Sequence, residues 1–418
     1  MSVVGIIAEY NPFHHGHKYH LELSKNITNS EYSVVVMSGS FVQRGEPSLI
    51  DKWTKAKIAV DSGVDLVIEL PFIFAVQSAE LFAYGSIALL DSLKIVDYVS
   101  FGSEVGQLEC LYPIADVLVE EPILYKQLLK KYLQQGNSFP VARSHALEEY
   151  FSKHDTRFFS EEIKRIISTP NNILAIEYLK ALKRLRSNIK PITIKRVGSQ
   201  YKDPELSNKM ASATAIRNKL LESNDISTIK KYVPETTYDH LIDYINNFFT
   251  FNSLDNYNQI IHYLLRIQGK RKLSNIMDVE AGLDNRIVEK SYEYSNIEEF
   301  INSVVTKRYP RSRIQRILVH LMLNLYKDTF KELSSRYPAY IRILGANEKG
   351  FYLIKKIKQK ADIPIITKYS DHHSLKDPYI NSIIDFDKRS TDLFFLGLNA
   401  NKPLTNMDYF ISPYIKKK

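Results

Sequence analysis

Cysteine is nearly absent: Cys110 is the only one in 418 residues. A disulfide within the chain is therefore excluded, and so are zinc sites built on cysteine thiolates. No apolar run approaches the roughly 20 residues needed to cross a bilayer. The first residues begin a strand, with no basic stretch and long apolar run before it, so the sequence predicts no signal peptide and a cytoplasmic location. The two commonest phosphate loops are also missing. There is no G-x-x-x-x-G-K-[ST], and no G-x-G-x-x-G at the first turn. A bound nucleotide would be held neither as in P-loop enzymes nor as in Rossmann dehydrogenases. Internal repeats and low-complexity segments are lacking too.

What is present describes a globular protein. Hydrophobic residues make up 44% and charged residues 25%, the balance of a soluble chain with a substantial core. The length exceeds one ordinary core and predicts two or three domains. A formal net charge of +9 suits a polyanion such as RNA. The 27 Tyr and 20 Phe offer stacking surface, though most of them belong in the core.

Over residues 3–104, short β-branched runs alternate with helical patterns. Strands are expected at 3–10, 33–38, 65–70 and 97–102, with helices at 17–26, 49–62 and 78–93. This alternation predicts right-handed βαβ crossovers and a parallel sheet, an α/β Rossmann-like fold. Ligands of such sheets bind beyond the carboxyl ends of the strands. Residues 107–186 read as helices with short breaks, one of them opened by Pro170-Asn171-Asn172. A further strand is expected at 190–197, then a loop, then a helix capped by Ser or Thr near 211–217. The break Tyr232-Val233-Pro234-Glu235 is read as the end of the first domain. Residues 236–335 look almost wholly helical. A small mixed α/β tail follows, with a strand near 340–344, a helix over 348–360 and a frayed lysine end at 416–418.

His14-x-Gly16-His17, placed after a strand and before a helix, carries the most chemistry. Gly16 permits close approach of a nucleotide to the backbone. The helix N-terminus offers free N–H groups to phosphate. Two imidazoles can donate hydrogen bonds to the charge that builds when an α-phosphate is attacked. The i, i+3 spacing of His14, His17 and His20 also permits a metal site, but no carboxylate pattern completes the set, and none is expected. His-x-Gly-His after the first strand resembles the signature of the nucleotidyltransferase superfamily, which includes the class I aminoacyl-tRNA synthetases. Ser212-Ala213-Thr214-Ala215-Ile216-Arg217 resembles the late I-S-S-T-x-I-R segment of cofactor adenylyltransferases. There the hydroxyls of Ser212 and Thr214, the helix start and Arg217 can hold the outer phosphates.

The resemblance becomes closer in longer blocks. Gly5-Ile6-Ile7-Ala8-Glu9-Tyr10-Asn11-Pro12-Phe13-His14, Met37-Ser38-Gly39-Ser40-Phe41-Val42-Gln43-Arg44-Gly45-Glu46-Pro47, Gly63-Val64-Asp65-Leu66-Val67-Ile68-Glu69-Leu70-Pro71, Phe101-Gly102-Ser103-Glu104 and Pro170-Asn171-Asn172-Ile173-Leu174 together resemble the bacterial tRNA(Met) cytidine acetate ligases. The likeness continues at 311–323 and at Ile343-Leu344-Gly345-Ala346-Asn347-Glu348-Lys349-Gly350. It implies that ATP and acetate form acetyl-adenylate, and that the acetyl group then passes to N4 of the wobble cytidine of elongator tRNA(Met). Carried onto this chain, it assigns the ATP site to Ile7, Ala8, Glu9, Tyr10, Asn11, Pro12, Phe13, His14, His15, Gly16, His17, Lys18, Tyr19 and His20, with Gly102, Asn171 and Arg196. His14 and His17 are the expected catalytic pair, and His15, at the variable position, is expected to be dispensable.

Ser40, Gln43, Arg44 and Lys52 form a second group, suited to acetate or the leaving pyrophosphate. Acetate is already ionised at neutral pH, so its attack needs no general base and no triad is sought. Mg2+ is expected to travel with ATP. Arg266, Lys270, Arg271, Lys272, Arg311, Arg313 and Arg316 are candidates for tracking tRNA, because a single-stranded anticodon loop can splay its cytosine into a pocket. The expected division is residues 1–235 for ATP and acetate, and a basic, mainly helical 236–418 for tRNA. Two alternatives stay open: a cofactor adenylyltransferase with a small-molecule acceptor, and a non-catalytic RNA-binding protein on a relic nucleotide fold.

Overall fold

A computed structural model describes residues 1–154, 160–196, 211–398 and 404–417. The expected strands form as β1 (Val3–Ala8), β2 (Tyr32–Ser38), β3 (Leu66–Leu70), β4 (Tyr98–Ser103) and β5 (Lys190–Lys195). All neighbouring pairs among them are parallel. Their Val- and Ile-rich runs are buried on both faces, as helix-covered parallel strands must be. Val197 and the loop expected after it lie outside the described residues.

The order of these five in the sheet is β5-β4-β1-β2-β3. The chain runs outward from β1 to β3, then returns to build β4 and β5 on β1's other side. The order reverses between β1 and β4, and it is beyond the carboxyl ends of strands at such a point that open α/β sheets bind their ligands. The helix His15–Thr28 starts there, directly after β1.

The C-terminal tail completes this sheet. Strand β6 (Ile341–Ala346) pairs antiparallel with β3, and β7 (Ile365–Ile366) runs parallel to β6. The frayed end expected at 416–418 is corrected in part. Strand β8 (Tyr414–Ile415) pairs with Gly345 and Ala346, the Lys416 N–H donates to the Ala346 carbonyl, and Lys416 Nζ lies 3.3 Å from Asp61. A short lysine-rich end thus acts as an edge strand, and Lys418 lies outside the described residues. Between β5 and β6 the described chain is helical, including Ala213–Ser223, Glu235–Phe248, Asn258–Leu273 and Arg311–Leu323.

Candidate active site

Strand β1 delivers a turn in which nearly every residue is fixed. Tyr10 takes a positive φ of 46° and is buried, its ring edge-on to Phe13 and to His17. The Asn11–Pro12 peptide is cis. Asn11 Oδ1 accepts from the Leu49 N–H at 2.7 Å. Arg217 reaches across from the helix Ala213–Ser223, donating to the Asn11 carbonyl at 2.9 Å and pairing with Glu46 at 3.2 Å. Ser212 caps that helix by accepting from the Ala215 N–H, and Thr214 Oγ1 lies 3.4 Å from Arg217. The late hydroxyl-and-arginine segment is therefore brought to the Asn-Pro turn.

His14 and His17 stack with ring centroids 3.7 Å apart. The His14 backbone N–H donates to His17 Nδ1 at 3.3 Å, which leaves the proton of a neutral His17 on Nε2. Gly16 is required by this stack, since a Cβ there would stand 2.8 Å from His14 Cε1. Burial pushes His14 down to about 3, helped by the charge of Arg196 and by His15. His17 is driven well below the ordinary imidazole value, first by burial, then by His14, Arg196 and His20. Both rings are thus neutral hydrogen-bond donors at neutral pH. His20 is lowered to about 4 by burial and Arg196, and its Nε2 lies 3.1 Å from the Ser100 hydroxyl on β4.

Arg196 follows β5 and crosses Gly102 on β4: a Cβ at Gly102 would meet Arg196 Cγ at 3.1 Å. Asn171 sits in the first turn of the helix Pro170–Arg184, N-capped at Thr169. Its backbone N–H and its Nδ2 both donate to Glu104 Oε1, at 3.1 and 2.6 Å. The helix start is therefore satisfied by a carboxylate from the end of β4, not by Asn171 itself. The histidines, Gly102, Asn171 and Arg196 gather at the place where the strand order reverses.

Other expected residues are placed differently. Lys52 is fully buried and bound to Glu69 at 2.9 Å and Asp408 at 2.8 Å. Ser40 is buried, its hydroxyl 3.4 Å from Thr391. Only Gln43 joins the turn after β1, its N–H donating to Glu9 Oε1 at 2.9 Å, while Arg44 is exposed at the loop tip. The four therefore do not form one group. A lysine that the sequence did not single out, Lys55, stands at the turn instead. Its Nζ donates to the Ser38 and Gly39 carbonyls at 2.8 Å, to Ser48 Oγ at 2.7 Å and to the Glu9 carbonyl at 3.2 Å. The signal was its position three residues after Lys52, which puts both lysines on one face of the same helix, and both are buried. Glu104 was missed as well; its place at a strand end was visible, but its partners lie 67 and 68 residues away.

The basic residues divide in two. Arg311 pairs with Glu298, Arg313 with Glu280 and Arg316 with Asp278. These three hold the helical region together, because acidic residues face each of them. Arg266, Lys270, Arg271 and Lys272 are exposed on the segment Asn258–Leu273, which kinks at Gly269, and have no carboxylate partner among the described residues; Tyr263 and Ile267 are exposed on the same segment.

Residues 1–407 match the HIGH Nucleotidyl Transferase family. A tRNA(Met) cytidine acetate ligase of Thermoanaerobacter sp. (strain X514) is 46% identical over 417 residues, covering 100% of both chains. The chain belongs to the tRNA(Met) cytidine acetate ligase family. A member from Clostridium perfringens (strain ATCC 13124) is 41% identical, covering 99% of this chain and 100% of its own. The crystal structure of Thermotoga maritima TmcAL bound with alpha-thio ATP superimposes with a TM-score of 0.93 at 33% identity, over 100% of both chains. Family membership and the α/β nucleotidyltransferase fold thus agree with the sequence reading. Among the described residues, no helix is long and apolar enough to cross a membrane, and no group of three His, Cys, Asp or Glu could hold a metal ion.

Proposed function

We propose that this protein is an ATP-dependent ligase that acetylates N4 of the wobble cytidine of elongator tRNA(Met), working in the cytoplasm. The observation that carries the reading is the stacked, uncharged His14–His17 pair at the start of a helix, in a chain that matches the ligase family from end to end. ATP occupies the crevice between β1 and β4, bounded by residues 7–20, Gly102, Asn171 and Arg196. Acetate oxygen attacks the α-phosphorus and pyrophosphate leaves. The N4 amine then attacks the acetyl carbonyl carbon, AMP leaves, and N4 loses a proton.

The residues suit those demands. His17 Nε2–H and the helix N-terminus donate to phosphate oxygens without the cost of burying an imidazolium. Arg196 supplies positive charge on the β5 side, and Arg217, with Ser212 and Thr214, flanks the outer phosphates. A magnesium ion travelling with ATP would neutralise phosphate charge there. Lys55, at the joint between the nucleotide turn and the Ser38-Gly39 turn, orders the wall that acetate approaches. For tRNA, the reading favours the unpaired patch of Arg266, Lys270, Arg271 and Lys272 over the arginines already matched by acids. Residues 1–235 serve ATP and acetate and the helical part of 236–418 serves mainly tRNA, while strands β6 to β8 of that second stretch complete the first sheet.

The test is exchange of label between pyrophosphate and ATP. Acetate should be required for exchange. His14→Ala and His17→Ala should each lower the rate about 100-fold or more, with circular dichroism unchanged. Exchange without acetate, or unaffected by both substitutions, would sink the reading.

A further inference from the structure

Glu104 is tied into the nucleotide crevice from both sides. Its Oε1 accepts from the backbone N–H and from Nδ2 of Asn171, and its Oε2 accepts from the Asn172 N–H at 2.7 Å. Asn172 answers with its Oδ1, which accepts from the N–H groups of Glu104 at 2.9 Å and Val105 at 3.1 Å. Asn172 Nδ2 is in turn held by Thr169 Oγ1 at 2.7 Å. The clasp fixes the carboxylate, and the carboxylate fixes the amide of Asn171. With Nδ2 committed to Glu104, Asn171 Oδ1 must turn away from it, because two oxygens facing each other would repel. Asn171 Oδ1 has no hydrogen-bond partner among the described residues. What the crevice shows a ligand at this point is therefore an acceptor. The same carboxylate attracts Arg196, whose side chain lies across Gly102.

We propose that Glu104 is a positioning residue of the nucleotide site: it holds the Asn171 amide with its oxygen outward, so that the site selects a nucleotide that presents an N–H or O–H donor there. This rests on the reading of the crevice as the ATP site. A donor at that point is supplied by the 6-amino group of adenine or by a ribose hydroxyl. A carbonyl, such as that at the same ring position of hypoxanthine, would face Oδ1 as a second acceptor and be rejected. Without Glu104 the amide is free to flip, and the discrimination between donor and acceptor is lost.

The test is a double-mutant cycle in the full chain with Glu104→Gln, Asn171→Ala and both, read by acetate-dependent exchange for KM and kcat toward ATP. Inosine triphosphate and 2′-deoxy-ATP serve as the second and third nucleotides. Glu104→Gln should raise KM for ATP about tenfold, the worth of one charge-assisted hydrogen bond, and leave kcat within about twofold. In the Asn171→Ala background the same change should add less than about twofold, because it acts through that amide. Preference for ATP over inosine triphosphate should shrink if the 6-amino group is the donor, and over 2′-deoxy-ATP if the ribose is. Glu104→Gln effects that are equal in both backgrounds, or that appear only as a lower melting temperature, would overturn the proposal. An unchanged KM for ATP in Asn171→Ala alone would overturn the assignment of Asn171 to the ATP site instead.

Discussion

At the scale of single residues, the histidine turn was largely legible. By type and spacing, Gly16, His14 and His17 pointed to a tight turn between β1 and the helix His15–Thr28, and that turn is present. What spacing does not report is that the two rings stack, or that burial keeps them neutral. Those facts depend on Tyr10 and Phe13 closing over the turn and on Arg196 arriving from β5. The neutrality has a consequence in acid. In the unfolded chain an imidazole titrates near 6.5, whereas folded His20 is lowered to about 4. From about pH 6.5 down to about 4, the unfolded chain therefore binds a proton that the folded chain refuses, and stability falls as pH falls across that window. Above it, this group contributes no pH dependence. His20→Gln should narrow the difference in denaturation midpoint between about pH 7.5 and pH 5. An unchanged difference would mean that His20 is not the group responsible.

At the scale of elements, β1 to β5 and the helices between them followed from periodicity, because strands buried on both faces read as continuous β-branched runs. The Gln43-Arg44 loop did not. Its shape comes from the helix Arg311–Leu323, on which it is seated. Gly45, at φ +80°, has no room for a side chain: a Cβ would lie 2.2 Å from the Arg316 backbone nitrogen. Gln315 Nε2 adds a hydrogen bond to Glu46 at 3.2 Å. Contacts across 269 residues leave no local pattern. Gly45→Ala should cost about 1–3 kcal/mol of stability, measured from the denaturant midpoint. A neutral result would show that the loop is not held against that helix.

At the scale of the molecule, the sequence placed a mixed tail after a helical region but did not show that the tail returns to the first sheet. Residues more than 300 positions apart in the chain meet in one buried cluster. Lys52 and Arg342 face Glu69 and Asp408, and Tyr340 donates to Asp387. Burial and the nearby charge of Glu69 push Asp387 above the usual carboxylate range. A cluster of this kind is costly to open from one side. Asp408→Asn would leave Lys52 and Arg342 short of one countercharge. It should destabilise the protein by about 3–5 kcal/mol, read from the denaturant midpoint; a change below about 1 kcal/mol would show that the tail is not anchored through this pair. Anchoring matters because it ties the tail that carries β6, the partner of β3, into the same sheet whose β1 delivers the histidine turn.

The central claim is that the whole molecule transfers acetate, activated by ATP, to a tRNA cytidine. It is tested most directly by mass spectrometry of nucleosides from tRNA(Met) incubated with the protein. With ATP and acetate, N4-acetylcytidine should appear at the wobble position; with acetyl-CoA and no ATP, it should not. Acetylation from acetyl-CoA alone, or none with ATP and acetate, would contradict the account.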